Sequence, residues 1–162
     1  MNYIDTKCSS PTAHLTEVFP YLRHTSNGRF AVPNGLVVTA DYDMRGRLGE
    51  ALLLCGIAPV FAASVADAAH HLATSPINVI VCEHRLPDGH YSELLSLARN
   101  SVTTPPVVVI SSTGDWPDYF DAIDRGAYDF LAYPLIPGEL QRIVSTYLKR
   151  NFDAAPAVGA FD

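Results

Sequence analysis

An apolar run that ends abruptly in charged residues lies at 79–89 and reads VIVCEHRLPDG. The opening VIVC is too short for a helix, and it lacks the polar alternation of a strand with one face in water. The charged residues and the Pro87-Asp88-Gly89 sequence that follow indicate a loop. This stretch therefore predicts a strand that is covered on both faces and ends at a polar loop.

Further short apolar runs occur along the chain, and segments with the helical period separate them. They lie at 36–38, 57–61, 107–110 and 130–132. Parallel strands need a long crossover connection, usually a helix, so this alternation is typical of repeated βα units. The sequence predicts an α/β protein of the flavodoxin-like type, a (βα)5 three-layer α/β/α sandwich with a five-stranded parallel sheet. Its functional edge is expected at the carboxyl ends of the strands.

The spacing of apolar residues locates the helices. In the first one, Met44, Leu48 and Leu52 fall on one face. Gly56 is expected to end this helix, because glycine adopts the left-handed conformation that helix ends favour. A later helix is predicted to begin at Trp116, with Asp115 capping its free amides.

The length of 162 residues fits one domain with short extensions. Residues 1–34 are rich in Ser, Thr, Pro and Gly and are interpreted as an N-terminal extension. Residues 35–150 are interpreted as the domain, and residues 151–162 as a tail or linker. No output domain is recognisable after residue 150, so both a fragment of a longer protein and a stand-alone adaptor fit the sequence.

Charge and composition argue against several classes of function. The formal net charge of -6 at pH 7 disfavours direct binding of nucleic acid, which depends on clustered Lys and Arg. No apolar window approaches the roughly 20 residues of a membrane span, and the N-terminus lacks the pattern of a signal peptide. The three cysteines are irregularly spaced, as in a reducing compartment. We expect a cytoplasmic protein.

Three stretches resemble the receiver domain of bacterial response regulators. They are residues 81–89, 109–115 and 126–134, which read VCEHRLPDG, VISSTGD and GAYDFLAYP. Together with Arg45, they extend the resemblance over about residues 36–150. Members of that family carry two acids after the first strand, a phosphoacceptor Asp after the third, a Ser or Thr after the fourth, and a Lys before a proline after the fifth. The acids hold Mg²⁺, and the hydroxyl and the ammonium bind phosphoryl oxygens.

Most of these positions are altered in this chain. The resemblance places Thr39 and Ala40 at the acid pair, Glu83 at the phosphoacceptor and Tyr133 at the lysine. Ser111 keeps the family residue type. We therefore expect no catalysis, no metal ion and no other cofactor.

The loop after the third strand leaves alternatives open. The extra methylene of Glu83 can place a carboxylate where a phosphoryl group would sit and so favour an active-like state, although it carries about half the charge. Alternatively, Glu83 is a strand-end residue bonded to loop amides. Tyr91 stands where many receivers carry a glycine, which predicts a reshaped loop. His84 and His90 flank this loop and are interpreted as loop residues, because no third metal ligand is recognisable. Asp41 and Asp43 are interpreted as helix N-terminal acids, not as a displaced metal pair.

Ser111 and Phe130 match the pair of residues that switches conformation in the family, and Phe130 is equally well explained as a core residue. Receivers commonly use the face around the fourth helix, fifth strand and fifth helix to dimerise or to dock partners. The candidate interface residues here are Trp116, Tyr119, Tyr133 and Arg142. Alternatively, Trp116 packs only against the start of its own helix.

The leading hypothesis is a phosphorylation-independent receiver that regulates an output, most often transcription in this family. It would act through homodimerisation or through contact with a protein partner or output domain. Two alternatives remain open. One is a receiver that a histidine kinase still phosphorylates on an acidic residue such as Glu83, Asp41 or Asp43. The other is a receiver-like domain that senses a small ligand at the strand ends.

Overall fold

The computed structural model describes residues 23–24 and 30–152. The rest of the predicted N-terminal extension and of the predicted tail lies outside the described residues. The central sheet contains β1 (Asn34–Val38), β2 (Ala58–Ala62), β3 (Val79–Glu83), β4 (Val107–Ser111) and β5 (Asp129–Ala132). Its order is β2-β1-β3-β4-β5, and every pairing is parallel. The predicted five-stranded parallel sheet is confirmed.

Five helices connect and flank these strands within the described part of the chain. They are α1 (Tyr42–Leu54), α2 (Val65–Thr74), α3 (Tyr91–Arg99), α4 (Trp116–Asp124) and α5 (Glu139–Phe152). One apolar cluster lies between the sheet and α2, α3 and α4, and a second lies between the sheet and α1 and α5. Successive residues of a strand point to opposite faces, so Val37 joins the second cluster while Leu36 and Val38 join the first. The predicted three-layer sandwich is confirmed.

Both ends of α1 follow from its sequence. The Asp41 carboxylate accepts a hydrogen bond from the backbone N–H of Met44 at 2.9 Å, as expected for an N-cap residue. Met44, Leu48 and Leu52 are buried. Gly56 follows the helix with a φ of 74°, a left-handed conformation that fits the predicted end of this helix.

The predicted cap at the start of α4 is wrong. Asp115 occupies the N-cap position, but its side chain makes no capping hydrogen bond. An N-cap side chain accepts from the N–H of the second or third helical residue. The second helical residue is Pro117, which has no N–H, so one of the two possible donors is missing.

A short antiparallel ladder interrupts the connection between β3 and α3. Arg85–Leu86 pairs with Gly89–His90 directly after the strand. A second short ladder pairs Arg23–His24 with Phe30–Ala31 ahead of the sheet. Among the described residues, we find no helix with the length and apolar character needed to cross a bilayer.

Candidate functional site

The carboxyl ends of β1, β3 and β4 meet at one edge of the sheet and form the candidate site. Thr39 directly follows β1, Glu83 ends β3 and Ser111 ends β4. β3 lies between β1 and β4, so Glu83 occupies the centre of this group. A cavity of about 280 Å³ opens beside Glu83 and Ser111, and its wall includes Arg85 and Asp118. The structure therefore brings together residues that the sequence placed on separate strands.

A hydrogen bond joins the strand ends at Thr39 and Glu83. Thr39 is fully buried, and its hydroxyl donates to Oε2 of Glu83 at 2.6 Å. The same hydroxyl oxygen accepts a bond from the backbone N–H of Asp41 at 3.0 Å. One interpretation of the sequence gives Glu83 loop amides as partners; the structure shows a side-chain hydroxyl instead, because β1 and β3 are neighbours in the sheet. The Glu83 carboxylate is thus tied to the end of β1.

The residues at this edge do not fit a Mg²⁺ ion, which requires several oxygen ligands in near-octahedral geometry. Ala40 offers only a methyl group. The Thr39 hydroxyl already bonds Glu83 and the Asp41 amide. Oδ1 of the Asp41 carboxylate accepts the bond from the backbone N–H of Met44 that caps α1. Nowhere in residues 23–24 and 30–152 do three or more His, Cys, Asp or Glu side chains form a group that could hold a metal ion.

The Ser111 hydroxyl is engaged within its own turn. It lies 3.0 Å from the Thr113 hydroxyl, and its oxygen accepts from the backbone N–H groups of Thr113 and Gly114, both at 3.3 Å. Phe130 is buried on the neighbouring strand, where it packs edge-on against Tyr119. The structure thus gives Phe130 a place in the core, and the proposed switching of the Ser111 and Phe130 pair stays a prediction.

Tyr133 presents a phenol at the position where the resemblance expects an ammonium group. Its backbone N–H donates to the carbonyl of Ser111 at 2.8 Å, and its peptide bond to Pro134 is cis. The half-buried ring packs with Leu135 against the apolar cluster between the sheet and helices α1 and α5. The side chain before Pro134 is therefore an uncharged ring in the place of a cation.

The first turns of α4 carry an exposed aromatic patch, defined as Trp116, Tyr119 and Phe120. Trp116 is 72% exposed and Phe120 is 61% exposed, whereas Tyr119 is half-buried. The Trp116 ring centroid lies 5.8 Å from Tyr119 and 6.2 Å from Phe120. Of the predicted interface residues, Tyr133 packs toward α1 and α5, and Arg142 is exposed on α5. Phe120 was not predicted for this surface, although its i, i+4 spacing from Trp116 is visible in the sequence.

Tyr91 is a buried residue whose role the sequence did not reveal. Its side chain is fully buried, and its hydroxyl donates to Oδ2 of Asp121 on α4 at 2.8 Å. Arg125 donates to the same oxygen at 2.8 Å. Burial and the bond to Asp121 raise the pKa of Tyr91, and the bonds from Tyr91 and Arg125 lower the pKa of Asp121. The sequence predicted only that this loop is reshaped.

Asp88 stabilises a helix far away in the sequence. Its carboxylate accepts bonds from the backbone N–H groups of Val65 at 2.8 Å and Ala66 at 3.1 Å, which are the first two residues of α2. These two amide bonds lower the pKa of Asp88. No local pattern signals a cap that comes from another loop, so sequence analysis missed it.

His84 and His90 form a close pair beside the site, with ring centroids 4.7 Å apart. The Nδ1 atom of His90 lies 3.3 Å from the Ser92 hydroxyl. Burial, followed by the charge on His84, lowers the pKa of His90. The pair therefore favours a neutral imidazole at position 90.

A family model described as the response regulator receiver domain matches residues 36–145. The chain belongs to the response-regulator receiver family. The resemblance to receiver domains found in the sequence is confirmed, as is a place in two-component signalling.

Curated relatives of this receiver are longer proteins. The Response regulator protein PilR of Pseudomonas aeruginosa is 31% identical over 123 residues, which are 75% of this chain and 28% of that protein. The KDP operon transcriptional regulatory protein KdpE of Escherichia coli is 30% identical over 118 residues, or 73% of this chain and 52% of that protein. The receiver thus spans about a quarter to a half of the length of these relatives.

Solved receiver structures share the fold. A two-component response regulator from Clostridium difficile has a TM-score of 0.67 at 27% identity, covering 74% of this chain and 98% of that chain. The beryllofluoride-activated NtrC4 receiver domain dimer has a TM-score of 0.62 at 25% identity, covering 74% of this receiver and 96% of that chain.

Proposed function

We propose that this receiver acts without phosphorylation, as a non-enzymatic interaction module in the cytoplasm that regulates an output through protein contact. The observation that carries the proposal is the hydrogen bond from Thr39 to Glu83. It occupies the place where a phosphorylatable receiver needs a metal-binding carboxylate facing a phosphoacceptor.

Phosphoryl transfer to a carboxylate depends on neutralising the charge that develops on the phosphoryl oxygens. At this strand edge, Thr39 and Ala40 supply no carboxylate for a metal ion, and Tyr133 supplies no ammonium. The hydroxyl of Ser111, which would bind a phosphoryl oxygen, is bonded within its own turn. These features support a site that does not catalyse its own phosphorylation.

The acids near the first strand offer no simple replacement for the missing pair. Asp41 is engaged with the backbone N–H of Met44 at the start of α1. Asp43 is exposed in the first turn of the same helix, where the helix dipole favours an acid. Arg85 is a cation in the cavity wall, but it lies on the hairpin after β3 and not at the end of β5.

The aromatic patch on α4 supports the second half of the proposal, which is association. Exposed aromatic side chains are enriched at protein interfaces and contribute much of their binding energy. Asp118 and Asp124 on α4 are acidic, whereas Arg142 and Lys149 on α5 are basic, so a two-fold contact could pair opposite charges. The related NtrC4 receiver was solved as a dimer. We therefore propose a second copy of this chain as the partner of the patch.

The output itself is proposed from the relatives. PilR and KdpE are named as regulators, and KdpE as a transcriptional one. Because the chain spans only part of such proteins, we propose that its output lies in another domain or in a partner, with transcription as the regulated process.

Beryllofluoride, which mimics a bound phosphoryl group, tests the first half of the proposal. We would titrate the full chain with Mg²⁺ and beryllofluoride and follow the backbone amide signals by NMR. The expected result is an unchanged spectrum, because the chain has no carboxylate pair after β1 and no ammonium group at the end of β5 to bind the complex.

The NtrC4 receiver is the positive control, since it is known in a beryllofluoride-activated form. A second chain with Thr39→Asp, Ala40→Asp, Glu83→Asp and Tyr133→Lys tests whether the lost residues restore the response. Saturable shifts of the Glu83 and Ser111 amides in the wild type would overturn the proposal.

A further inference from the structure

Tyr91 has the largest fully buried side chain among the described residues, although it carries a polar hydroxyl. It is the first residue of α3 and is fully buried. Its ring stacks on His84 with centroids 5.1 Å apart, and its backbone N–H donates to the carbonyl of His84 at 3.3 Å. Since His84 directly follows Glu83, the ring is fixed to the end of β3.

The hydroxyl of Tyr91 reaches across to α4. Its 2.8 Å bond to Asp121 joins residues that are 30 positions apart in the sequence. Asp121 lies in the second half of α4, and its carboxylate also receives the Arg125 guanidinium. The three side chains form a continuous link from the start of α3 to the end of α4.

The contacts that hold α4 also include the packing of Tyr119 on Phe130 and a bond from the Arg99 guanidinium to the carbonyl of Arg125. Among the described residues, Ala122 is the single buried residue of α4, whereas α3 buries four of its nine residues. Helices with little buried apolar surface open locally at low free-energy cost. The bond between Tyr91 and Asp121 therefore helps to fix the position of α4, together with the bond from Arg99.

We propose that Tyr91 is the positioning residue that braces α4 against the end of β3, so that the aromatic patch is presented in one fixed orientation. The use of the patch rests on the proposed function, but the brace itself does not. A receiver that is not switched by phosphorylation needs a fixed interaction surface. The bond between Tyr91 and Asp121 fixes the orientation of the patch without any modification of the chain.

Amide hydrogen exchange of the full chain tests the brace without any partner. Tyr91→Phe keeps the stacked ring and removes only the hydroxyl. We expect exchange of the amides at 119–125 to accelerate about fivefold, the factor that corresponds to one ordinary net hydrogen bond, while amides of β1, β3 and β4 keep their rates. Tyr42→Phe is the matched control, because Tyr42 is 83% exposed. The α4 amides of this variant should exchange at the wild-type rate.

A double-variant cycle identifies the partner. If the hydroxyl acts through Asp121, the substitutions Tyr91→Phe and Asp121→Ala remove the same bond. The double variant should then exchange its α4 amides only slightly faster than the faster of the two single variants. Independent, multiplying effects would overturn the proposal. Unchanged exchange at 119–125, or equal acceleration throughout the sheet, would overturn it as well. Loss of dimerisation with an intact brace, in contrast, would count only against the proposed function.

Discussion

Replacing Thr39 with valine removes the hydroxyl that joins two strand ends and leaves a side chain of nearly the same shape. A hydrogen bond to a charged group contributes about 1.5–3 kcal/mol to stability. Thr39 is fully buried, but Glu83 is only half-buried, so water can reach part of its carboxylate once the donor is gone. Asp41 is exposed, so its backbone N–H can form a hydrogen bond with water instead. We therefore expect Thr39→Val to lower the free energy of unfolding by about 1–2 kcal/mol.

Urea denaturation measures this loss as a lower midpoint with an unchanged m-value. Thr74→Val is the matched control, since the exposed Thr74 bonds only the carbonyl of His70 in its own helix; its cost should stay below about 0.5 kcal/mol. In the background of Glu83→Ala, the effect of Thr39→Val should shrink, because the acceptor is already missing. A Thr39→Val effect as small as the control, or an equal effect with and without Glu83, would refute the reasoning.

Two further predictions concern pH and association. Because burial and the charge of His84 hold the pKa of His90 below its ordinary value of 6.5, the stability it contributes is present above that value and is lost as the pH falls below it. In His90→Gln, the urea midpoint should fall less between about pH 7 and pH 5 than it does in the wild type. An equal fall in the two proteins would contradict this. In sedimentation, the wild type should dimerise, Trp116→Ala should weaken the dimer about tenfold or more, and Tyr42→Ala should not. Higher salt should weaken the dimer modestly, and a wild type that stays monomeric at high concentration would point to a different partner.

The sheet was predictable because each strand has a recognisable local pattern of apolar residues. The run at 79–82 is apolar without alternation, and the structure buries it on both faces of β3. The face of α1 with Met44 and Leu48 follows the helical period. A local rule failed at α4, where Asp115 is a favourable N-cap residue but makes no capping bond, and Pro117 removes one of its two possible donors.

The site was predictable in its positions but not in its bonds. Thr39, Glu83 and Ser111 could be assigned to one edge because parallel strands end on the same side. The partners of Asp88 and Tyr91 could not be assigned, since they lie 22 to 30 residues away and depend on how helices pack. Spacing along the chain carries no information on such contacts.

Phosphorylation itself is the most direct test of the central claim. We would incubate the full chain with Mg²⁺ and a small-molecule phosphodonor and follow its intact mass at neutral pH, with the NtrC4 receiver as positive control. The account predicts no gain of a phosphoryl group, because the chain lacks the metal-binding pair and the ammonium. A gain in mass that maps to Glu83, Asp41 or Asp43 would contradict it.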